Sequence, residues 1–226
     1  MNKALRTVCA LALVAPVLDA TLSAAISDKL KSRIDESAAV LAELHSAPDK
    51  DVPQELWDRA TCVIVIPSVK KAAFVFGGEY GKGLMSCRKG AGWSAPVFMQ
   101  LQKGSWGLQI GAQSIDLILL VNNERGMKKL LGNKVTLGAE ASVAAGPVGR
   151  DARAATDAQM NAEILSYSRT QGLFAGINLS GGVMKPDGDD NKELYGKKVT
   201  PTAVLTGDTA PPAAVAAFMK ALVRNK

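Results

Sequence analysis

The sequence predicts an α+β domain in which an antiparallel sandwich or barrel-like sheet of many short strands is flanked by N-terminal and C-terminal helices. An amphipathic helical pattern covers residues 26–46, glycine-separated apolar runs follow it, and a second helical pattern begins near Pro211 or Pro212. Short strands at roughly 8–12-residue spacing are typical of an antiparallel sandwich or barrel. Hydrophobic residues make up 47% and charged residues 21% of the chain. Those fractions indicate a globular protein with a sizeable core.

The first 25 residues have the layout of a secretory signal peptide. Lys3 and Arg6 precede an apolar run, and small residues come after that run. This order of regions is typical of an export signal, and the run is shorter than the roughly 20 residues that a bilayer-spanning helix needs. We therefore expect residues 1–25 to be a signal peptide cleaved after Ala25, and residues 26–226 to form a single domain.

Export sets expectations for location and partners. A lipoprotein is not expected, because Cys9 lies at the front edge of the apolar run and not behind it. We expect the mature protein in the periplasm or associated with the envelope. The whole chain carries a net charge of +6, and removing two cations and one carboxylate with the signal leaves +5. This charge suits anionic partners, whereas an aromatic content of 5% offers few platforms for stacking bases, so no nucleic acid is expected.

Residues 26–46 have the periodicity of an amphipathic helix. The apolar residues recur every three or four positions and form one stripe of Ile26, Leu30, Ile34, Ala38, Leu41 and Leu44. Lys29, Lys31 and Arg33 lie near the polar side of this helix. Such a helix either lies in a membrane interface or packs its stripe on the sheet. We favour packing on the sheet, because the stripe is rich in alanine and nearby carboxylates dilute the positive side.

The middle of the chain is predicted to consist of strands joined by glycine-rich turns. The run "TCVIVIPSV" is apolar, β-branched and bounded by Pro67, which is typical of a buried strand. Further strands are predicted for "AAFVFGG", "GLMSCR", "WSAPVFMQLQ", "WGLQIGAQ" and "SIDLILLV", and for residues 134–149, 162–169, 172–179 and 181–185. Turns are predicted at "GGEYGKG", "RKGAG" and "QKGS". Short helices are predicted at "PQELWDRA" and "NNERGMKKLLGN". A polar loop with a helical turn is predicted at "KPDGDDNKELYG".

Two cysteines, Cys62 and Cys87, remain after removal of the signal. In an oxidising compartment they could form a disulfide, but the sequence does not show whether they are close. The alternative is two buried, unreactive thiols in strands, and we favour it because free cysteine is among the most often buried residues.

The sequence predicts no catalytic, nucleotide-binding or metal-binding constellation. "GGEYGKG" lacks the spacing, the Ser or Thr and the following helix of a phosphate loop. "DGDDNKE" is rich in oxygen ligands, yet an EF-hand needs glycine and glutamate where Lys192 and Lys198 stand, so a solvated loop is favoured. His45 is the single histidine and lies on the predicted first helix, where a surface or packing role is favoured over that of a catalytic base. One His and two Cys are too few ligands for zinc, and no motif marks Ser–Lys or paired-carboxylate chemistry, the alternatives that remain open. We expect no enzyme activity, no metal and no cofactor; a hydrolase would need a pocket with a perturbed Ser, Lys or carboxylate.

The C-terminal half carries a long, distinctive run of sequence. "EILSYSRTQGLFAGINLSGG", with "GPVGRDARAATDA" upstream and "NKELYG" downstream, closely resembles the SYLF domain family, which is also named after a yeast actin-binding domain. The resemblance extends from the first helix to about residue 210. It implies a lipid-binding module without catalytic residues. Eukaryotic relatives bind phosphoinositides, partly through a basic amphipathic N-terminal segment, and some bind or bundle actin, whereas bacterial relatives are typically exported.

These observations together predict an exported, non-enzymatic module that binds anionic, phosphoinositide-like lipid headgroups at the cell envelope. Each Lys or Arg near a membrane surface contributes about 1 kcal/mol of attraction. The candidate lipid-binding residues are Lys29, Lys31, Arg33, Lys70, Lys71 and Arg169. Arg169 is the only charged residue of "SYSRTQGLFAGINLSGG", and a salt bridge is its alternative role. Envelope proteins are further candidate partners, and actin is not expected for an exported chain. The alternative function is a structural or protein-interaction module of the envelope without specific lipid recognition.

Overall fold

A curled, open sheet of ten strands forms the centre of the computed structural model, which describes residues 26–46, 52–73, 76–106, 111–148, 161–170 and 173–223. The strands are β1 (Cys62–Ala73), β2 (Phe76–Lys89), β3 (Gly92–Trp93), β4 (Val97–Trp106), β5 (Gly111–Val121), β6 (Val135–Thr136), β7 (Val143–Ala145), β8 (Ile164–Thr170), β9 (Leu173–Gly176) and β10 (Val183–Pro186). Their order is β6-β10-β4-β2-β1-β5-β8-β7, with β3 paired to β2 and β9 to β8. Strands β7 and β8 run parallel, and the neighbours along the main path from β6 to β8 run antiparallel.

Helices pack on both faces of this sheet. They are α1 (Asp28–Ser46), α2 (Gln54–Arg59), α3 (Glu124–Leu130), α4 (Gly188–Tyr195), α5 (Pro201–Thr206) and α6 (Ala216–Leu222), the last preceded by a 3₁₀ turn at Ala213–Val215. One core lies between the sheet and helices α1, α2, α4 and α6, and we call this side the α1 face. A second core lies on the opposite side, the α3 face, where α3 and α5 pack. The predicted α+β class, with a barrel-like sheet and helices at both ends, is confirmed.

Strand β1 shows why the sequences of the central strands are apolar at nearly every position. Val63 and Val65 belong to the core of the α1 face, whereas Ile64 and Ile66 belong to the core of the α3 face, and all four side chains are fully buried. Successive side chains of a strand point to opposite faces, so a strand covered on both sides must be apolar at every position. The prediction of a buried strand at "TCVIVIPSV" is therefore confirmed.

Strand β1 does not end at Pro67, where the sequence predicts its boundary. The strand continues to Ala73 through an irregularity, with the pairing to β2 shifted between Val65 and Lys70. Ser68 adopts a φ of 51° at this point. A bulge accommodates the missing N–H of a proline, because it interrupts the ladder of hydrogen bonds locally.

Two predicted turns are wrong. "GGEYGKG" lies inside β2, and "QKGS" lies inside β4. The glycines of β2 serve close packing: a Cβ on Gly83 would lie 1.8 Å from the carbonyl oxygen of Val65, and one on Gly81 would lie 2.6 Å from Cγ2 of Ile66. Glycine in a strand is expected wherever another backbone approaches this closely. The turn predicted at "RKGAG" is confirmed, with Gly90 at a φ of 56°.

The segment "KPDGDDNKELYG", predicted as a polar loop with a helical turn, contains a full helix, α4, and the solvated loop predicted for "DGDDNKE" is wrong. Asp187 caps it by accepting a hydrogen bond from the N–H of Asp190 at 3.1 Å, and Gly196 ends it in the left-handed conformation with a φ of 66°. Asp187 is buried, with 3% of its surface exposed. Asp187 therefore caps the helix, and Asp187 and Asp190 pair with half-buried cations, whereas Asp189 is exposed.

The other predicted elements differ mainly in length. Helices α1, α2 and α3 are confirmed, and Asn123 caps α3 by accepting a hydrogen bond from the N–H of Gly126 at 2.9 Å. The strands predicted over 134–149 and 172–179 are shorter, because much of each segment forms turns and loops. Residues 1–25, and residues 107–110 of "WGLQIGAQ", lie outside the described part of the chain. None of the described helices combines the length and apolar character needed to cross a bilayer.

Cys62 and Cys87 form a disulfide, so the favoured prediction of two free thiols is wrong. The two residues are directly opposite each other on β1 and β2, with a Cα–Cα distance of 3.9 Å. Both are buried in the core of the α3 face. Two cysteines on different strands can form a disulfide only if the strands pair in the right register. Neither the pairing nor the register can be obtained from the sequence.

Candidate anion-binding groove

The apolar stripe of α1 fixes this helix on the sheet. Leu30, Ile34, Leu41 and Leu44 are at most 2% exposed and belong to the core of the α1 face. The prediction that the stripe packs on the sheet is therefore confirmed. It leaves the polar side of the N-terminal half of α1 beside strands β1 and β2, where a groove opens.

This groove, which we call the α1 groove, has a volume of about 360 Å³. Its charged lining residues are Lys29, Arg33, Glu36, Lys70 and Lys82, and its hydroxyl-bearing residues are Ser32, Ser68 and Tyr80. The four cations come from three different elements, α1, β1 and β2. The lining residues carry a formal charge of +3, and the two carboxylates that pair with Arg33 and Lys82, Asp187 and Asp190, reduce the charge of the whole cluster to +1.

Three of the six predicted lipid-binding residues meet in the α1 groove, namely Lys29, Arg33 and Lys70. Lys31 does not line it, and its amine forms an exposed ion pair at 2.5 Å with the carboxylate four residues later. The backbone of Lys71 belongs to β1, and its side chain is outside the part of the chain that the structure describes.

Lys82 belongs to the groove but is absent from the sequence prediction. The Lys82 amine lies 2.5 Å from Oδ2 of Asp187 and 3.1 Å from Oδ1 of Asp190, and its side chain is 18% exposed. Burial alone would lower the pKa of Lys82, but the hydrogen bonds and charges of the two carboxylates outweigh burial and hold the pKa above its ordinary value. The amine is therefore charged at neutral pH. Strand alternation through Tyr80, Lys82 and Leu84 is the signal that could have found it, had "GGEYGKG" been recognised as a strand.

The deep cations of the groove are already paired, whereas the outer ones are open. The Arg33 guanidinium lies 2.7 Å from Oδ2 of Asp190, so Asp190 bridges Arg33 and Lys82. Lys29 and Lys70 are exposed, and no carboxylate in the described ranges forms an ion pair with either. A ligand anion would therefore meet Lys29 and Lys70 first and Arg33 and Lys82 behind them.

Arg169 has the alternative role that the sequence allowed, a salt bridge. Its guanidinium lies 2.9 Å from Glu43 on α1 and 3.5 Å from Asp116 on β5. Asp116 also accepts a hydrogen bond from the N–H of Ser68 at 2.9 Å. With 19% of its side chain exposed, Arg169 ties α1 to the sheet and supports the bulge beside the groove.

The serines and glycines of the distinctive C-terminal run have structural roles. The buried Ser166 hydroxyl is 2.6 Å from the carbonyl oxygen of Ile177 and 3.1 Å from that of Ala144, which joins β8 to its neighbours. The fully buried ring of Tyr167 packs where Gly146 has no side chain, because a Cβ there would lie 2.0 Å from the ring. These contacts pack Ser166 and Tyr167 of "SYSR" against residues 144–146 and 177.

The single histidine packs against the core. The His45 ring contacts Trp57 edge-on, with ring centroids 4.7 Å apart. Within the described residues, no group of three or more His, Cys, Asp or Glu side chains is placed to hold a metal ion.

Comparison with known proteins assigns the chain to a family. A family model described as "Las17-binding protein actin regulator", Ysc84, matches residues 102–225. The chain belongs to the Ysc84 family. The resemblance to the SYLF domain, another name for this family, is thereby confirmed.

Relatives of this Ysc84-family chain come from fungi and animals. An SH3 domain-containing protein of Schizosaccharomyces pombe is 40% identical over 67% of this chain and 36% of its own length. LAS seventeen-binding protein 3 of Saccharomyces cerevisiae is 31% identical over 87% of this chain and 45% of its own length. The human SH3 domain-containing YSC84-like protein 1 is 30% identical over 83% of this chain and 57% of its own length. The chain thus matches between 36% and 57% of the length of these curated relatives.

Proposed function

We propose that this protein is an exported, non-enzymatic module that binds anionic, phosphoinositide-like lipid headgroups at the cell envelope through the α1 groove. The observation that carries the proposal is the meeting of four cations from three elements in one groove that also contains hydroxyl groups. A phosphate group needs several hydrogen-bond donors and positive charges converging on one point, and this lining supplies both.

The arrangement of the cations, with two exposed at the mouth of the groove and two paired behind them, supports reversible binding at a membrane surface. Lys29 and Lys70 stand open at its mouth, so each contributes about 1 kcal/mol of attraction to an anionic membrane. Arg33 and Lys82 are held in place by Asp187 and Asp190. Positioned cations lose little side-chain entropy when a ligand arrives, although the nearby carboxylates weaken their attraction for it.

Two features support export. The layout of residues 1–25 matches a signal peptide. The Cys62–Cys87 disulfide suits an oxidising compartment, because disulfides are rare where glutathione and thioredoxin keep thiols reduced. Mass spectrometry of the protein isolated from its source cells should give an N-terminus at Ile26; a retained N-terminal segment in the cytoplasmic fraction would contradict export.

Vesicle flotation tests the lipid-binding proposal. The wild-type protein should float at low salt with phosphatidylcholine vesicles that contain phosphatidylglycerol, and not with phosphatidylcholine alone. Lys70→Glu removes one attraction and adds one repulsion, so we expect a loss of about 2 kcal/mol, or about thirtyfold in affinity. Lys128→Glu is the matched control, since it makes the same charge change on α3, which packs on the opposite face of the sheet.

The outcomes of the flotation experiment are distinct. Equal recovery on neutral and anionic vesicles would overturn the electrostatic mechanism. Equal losses for Lys70→Glu and Lys128→Glu would indicate attraction by net charge alone, and would overturn the assignment to the α1 groove.

A second candidate function is a protein-interaction module, because the family description and one relative's name refer to binding of the protein Las17. In this case, proteins captured from the envelope fraction by the wild-type chain should also be captured by Lys70→Glu. Partners that depend on Lys70 but not on lipid would instead place protein binding in the α1 groove.

A further inference from the structure

A second basic groove lies beside the α1 groove. It has a volume of about 600 Å³, and we call it the β10 groove. Its lining includes Lys103, Lys134 and Lys185, with Glu79 as its acidic residue. Three cations against one carboxylate make this groove positively charged, like the α1 groove.

Tyr80 separates the two grooves. It lines both, and 43% of its surface is exposed. On the sheet, Tyr80 is paired with Lys70 of β1 on one side and with Gln102 of β4 on the other, and Gln102 is paired with Val183 of β10. Directly paired residues point to the same face. The two grooves are therefore neighbouring parts of the α1 face.

The strand pairing also sets the distance between the grooves. Lys82 of the α1 groove is paired with Gln100, and Gln100 is paired with Lys185 of the β10 groove. Neighbouring strands lie about 4.8 Å apart, so the two lysine backbones are about 10 Å apart, and the three steps from Lys70 to Val183 cover about 14 Å.

Two glycines keep the floor of the β10 groove open. Gly78 and Gly104 are directly paired on β2 and β4 and both line the groove. A Cβ on Gly104 would meet nothing within 4 Å, and one on Gly78 would lie 3.7 Å from its nearest neighbour. Neither residue has a positive φ. Packing and backbone conformation therefore do not require glycine here, in contrast to Gly83.

Two lysines of the β10 groove are available to a ligand. Within the described ranges, neither Lys134 nor Lys185 forms an ion pair, and the Lys103 amine donates a hydrogen bond to the carbonyl oxygen of Asn178 at 3.3 Å. Lys134 and Lys185 would therefore attract an anion in this groove, whereas Lys103 alternates with Gln102 and Gly104, so its side chain points to the opposite face of the sheet.

We infer that the two grooves are subsites for one ligand, an anionic molecule that carries two phosphate-like groups about 10 to 14 Å apart. This inference rests on the proposed function, which assigns the first phosphate to the α1 groove. The second phosphate binds beside Lys134 and Lys185. The uncharged part between the phosphates lies across Gln100 and Gln102, beside the Tyr80 ring.

A pair of soluble probes tests the second subsite. Octanediol bisphosphate has two phosphates joined by an uncharged chain long enough to reach both grooves, and octyl phosphate has one. Linking two binding groups makes the second contact intramolecular, so we expect the bisphosphate to bind about tenfold more tightly in an NMR titration. Equal affinities for the two probes would overturn the inference.

Two variants assign the expected gain to the β10 groove. Lys185→Glu and Lys134→Glu each repel the second phosphate, because both lysines line the β10 groove and neither forms an ion pair within the described ranges. Both should abolish the tenfold gain and change octyl phosphate binding by less than about twofold. A gain that survives in both variants would overturn the second subsite. If Lys70→Glu leaves octyl phosphate binding unchanged, the proposed function of the α1 groove fails instead.

Vesicles distinguish a membrane ligand from a soluble one. Two sets of phosphatidylcholine vesicles carry equal total phosphate charge. One set contains phosphatidylglycerol, with one phosphate per molecule, and the other contains lipid A, whose two phosphates lie at opposite ends of a disaccharide. A preference for lipid A that Lys185→Glu removes supports the second subsite with a lipid ligand. A tenfold gain restricted to octanediol bisphosphate supports the subsite with a soluble ligand, and the absence of both effects overturns it.

Discussion

Replacing Asp190 with asparagine should strengthen anion binding while weakening the fold. The Asp190 carboxylate lies 2.7 Å from the Arg33 guanidinium and 3.1 Å from the Lys82 amine, and its side chain is 14% exposed. Asp190→Asn preserves the shape of this side chain and removes its negative charge. Lys82 keeps its second partner, Asp187, at 2.5 Å, so the network loses charge without losing every contact.

The two effects can be estimated from these contacts. Removing one partner of a fully buried ion pair costs about 3 to 5 kcal/mol, and the retained contact of Lys82 reduces our expectation to about 2 kcal/mol of unfolding free energy. A phosphate on Arg33 would lie about 6 Å from the Asp190 carboxylate. At an effective dielectric constant of about 40 to 80, the repulsion that disappears is about 0.7 to 1.4 kcal/mol, which corresponds to about three- to tenfold tighter binding.

The measurements are urea unfolding and flotation on vesicles containing phosphatidylglycerol, both under conditions in which the variant is folded. Asp208→Asn is the control, because Asp208 is an exposed carboxylate paired with Lys89 and does not line the α1 groove. Unchanged or weaker vesicle binding by folded Asp190→Asn would refute the idea that Asp190 competes with the ligand for Arg33 and Lys82.

Two further predictions concern packing and pH. Gly83→Ala places a Cβ 1.8 Å from the Val65 carbonyl oxygen and should lower the free energy of unfolding by about 3 kcal/mol. Gly78→Ala is the control, because its Cβ would lie 3.7 Å from the nearest neighbour and should not lower stability in this way. Equal urea midpoints for the two variants would contradict this account. Burial alone would raise the pKa of Glu163, but hydrogen bonds from Lys129 and the Ser142 N–H hold it below its ordinary value. The ionised Glu163 carboxylate therefore stabilises the fold above a pH of about 4.3, and this stabilisation is lost as the pH falls through the lower folded-state pKa. In urea titrations, the difference in unfolding free energy between wild type and Glu163→Gln should therefore shrink as the pH falls below about 4.3.

The candidate site could be predicted only in part. Residue type and the periodicity of α1 predict Lys29, Lys31 and Arg33 together, because an amphipathic helix places its cations away from its apolar stripe. They do not distinguish Lys31, which does not line the α1 groove. Lys70 also reaches the α1 groove, but this depends on the bulge at Pro67, since a shift of one residue moves a strand side chain to the other face. Lys82 was missed because its strand was interpreted as a turn.

The partners of these cations could not be predicted from local sequence. Asp190 contacts Arg33 across 157 residues of chain and Lys82 across 108. Arg169 meets Glu43 and Asp116 through tertiary packing as well. Pairings over such separations depend on strand order and helix placement, which no short window of residues contains.

By itself, the sequence determined the α+β class, the burial of the α1 stripe, the apolar character of the central strands and membership of the family. These properties follow from residue periodicity and composition, which act over a few neighbouring positions. Only the tertiary structure decided that Cys62 faces Cys87, that "GGEYGKG" is a strand packed closely on its neighbour, and that α4 supplies carboxylates to the α1 groove. The physical reason is strand register: it determines which side chains meet across the sheet, and it is set by contacts between segments that lie far apart in the chain.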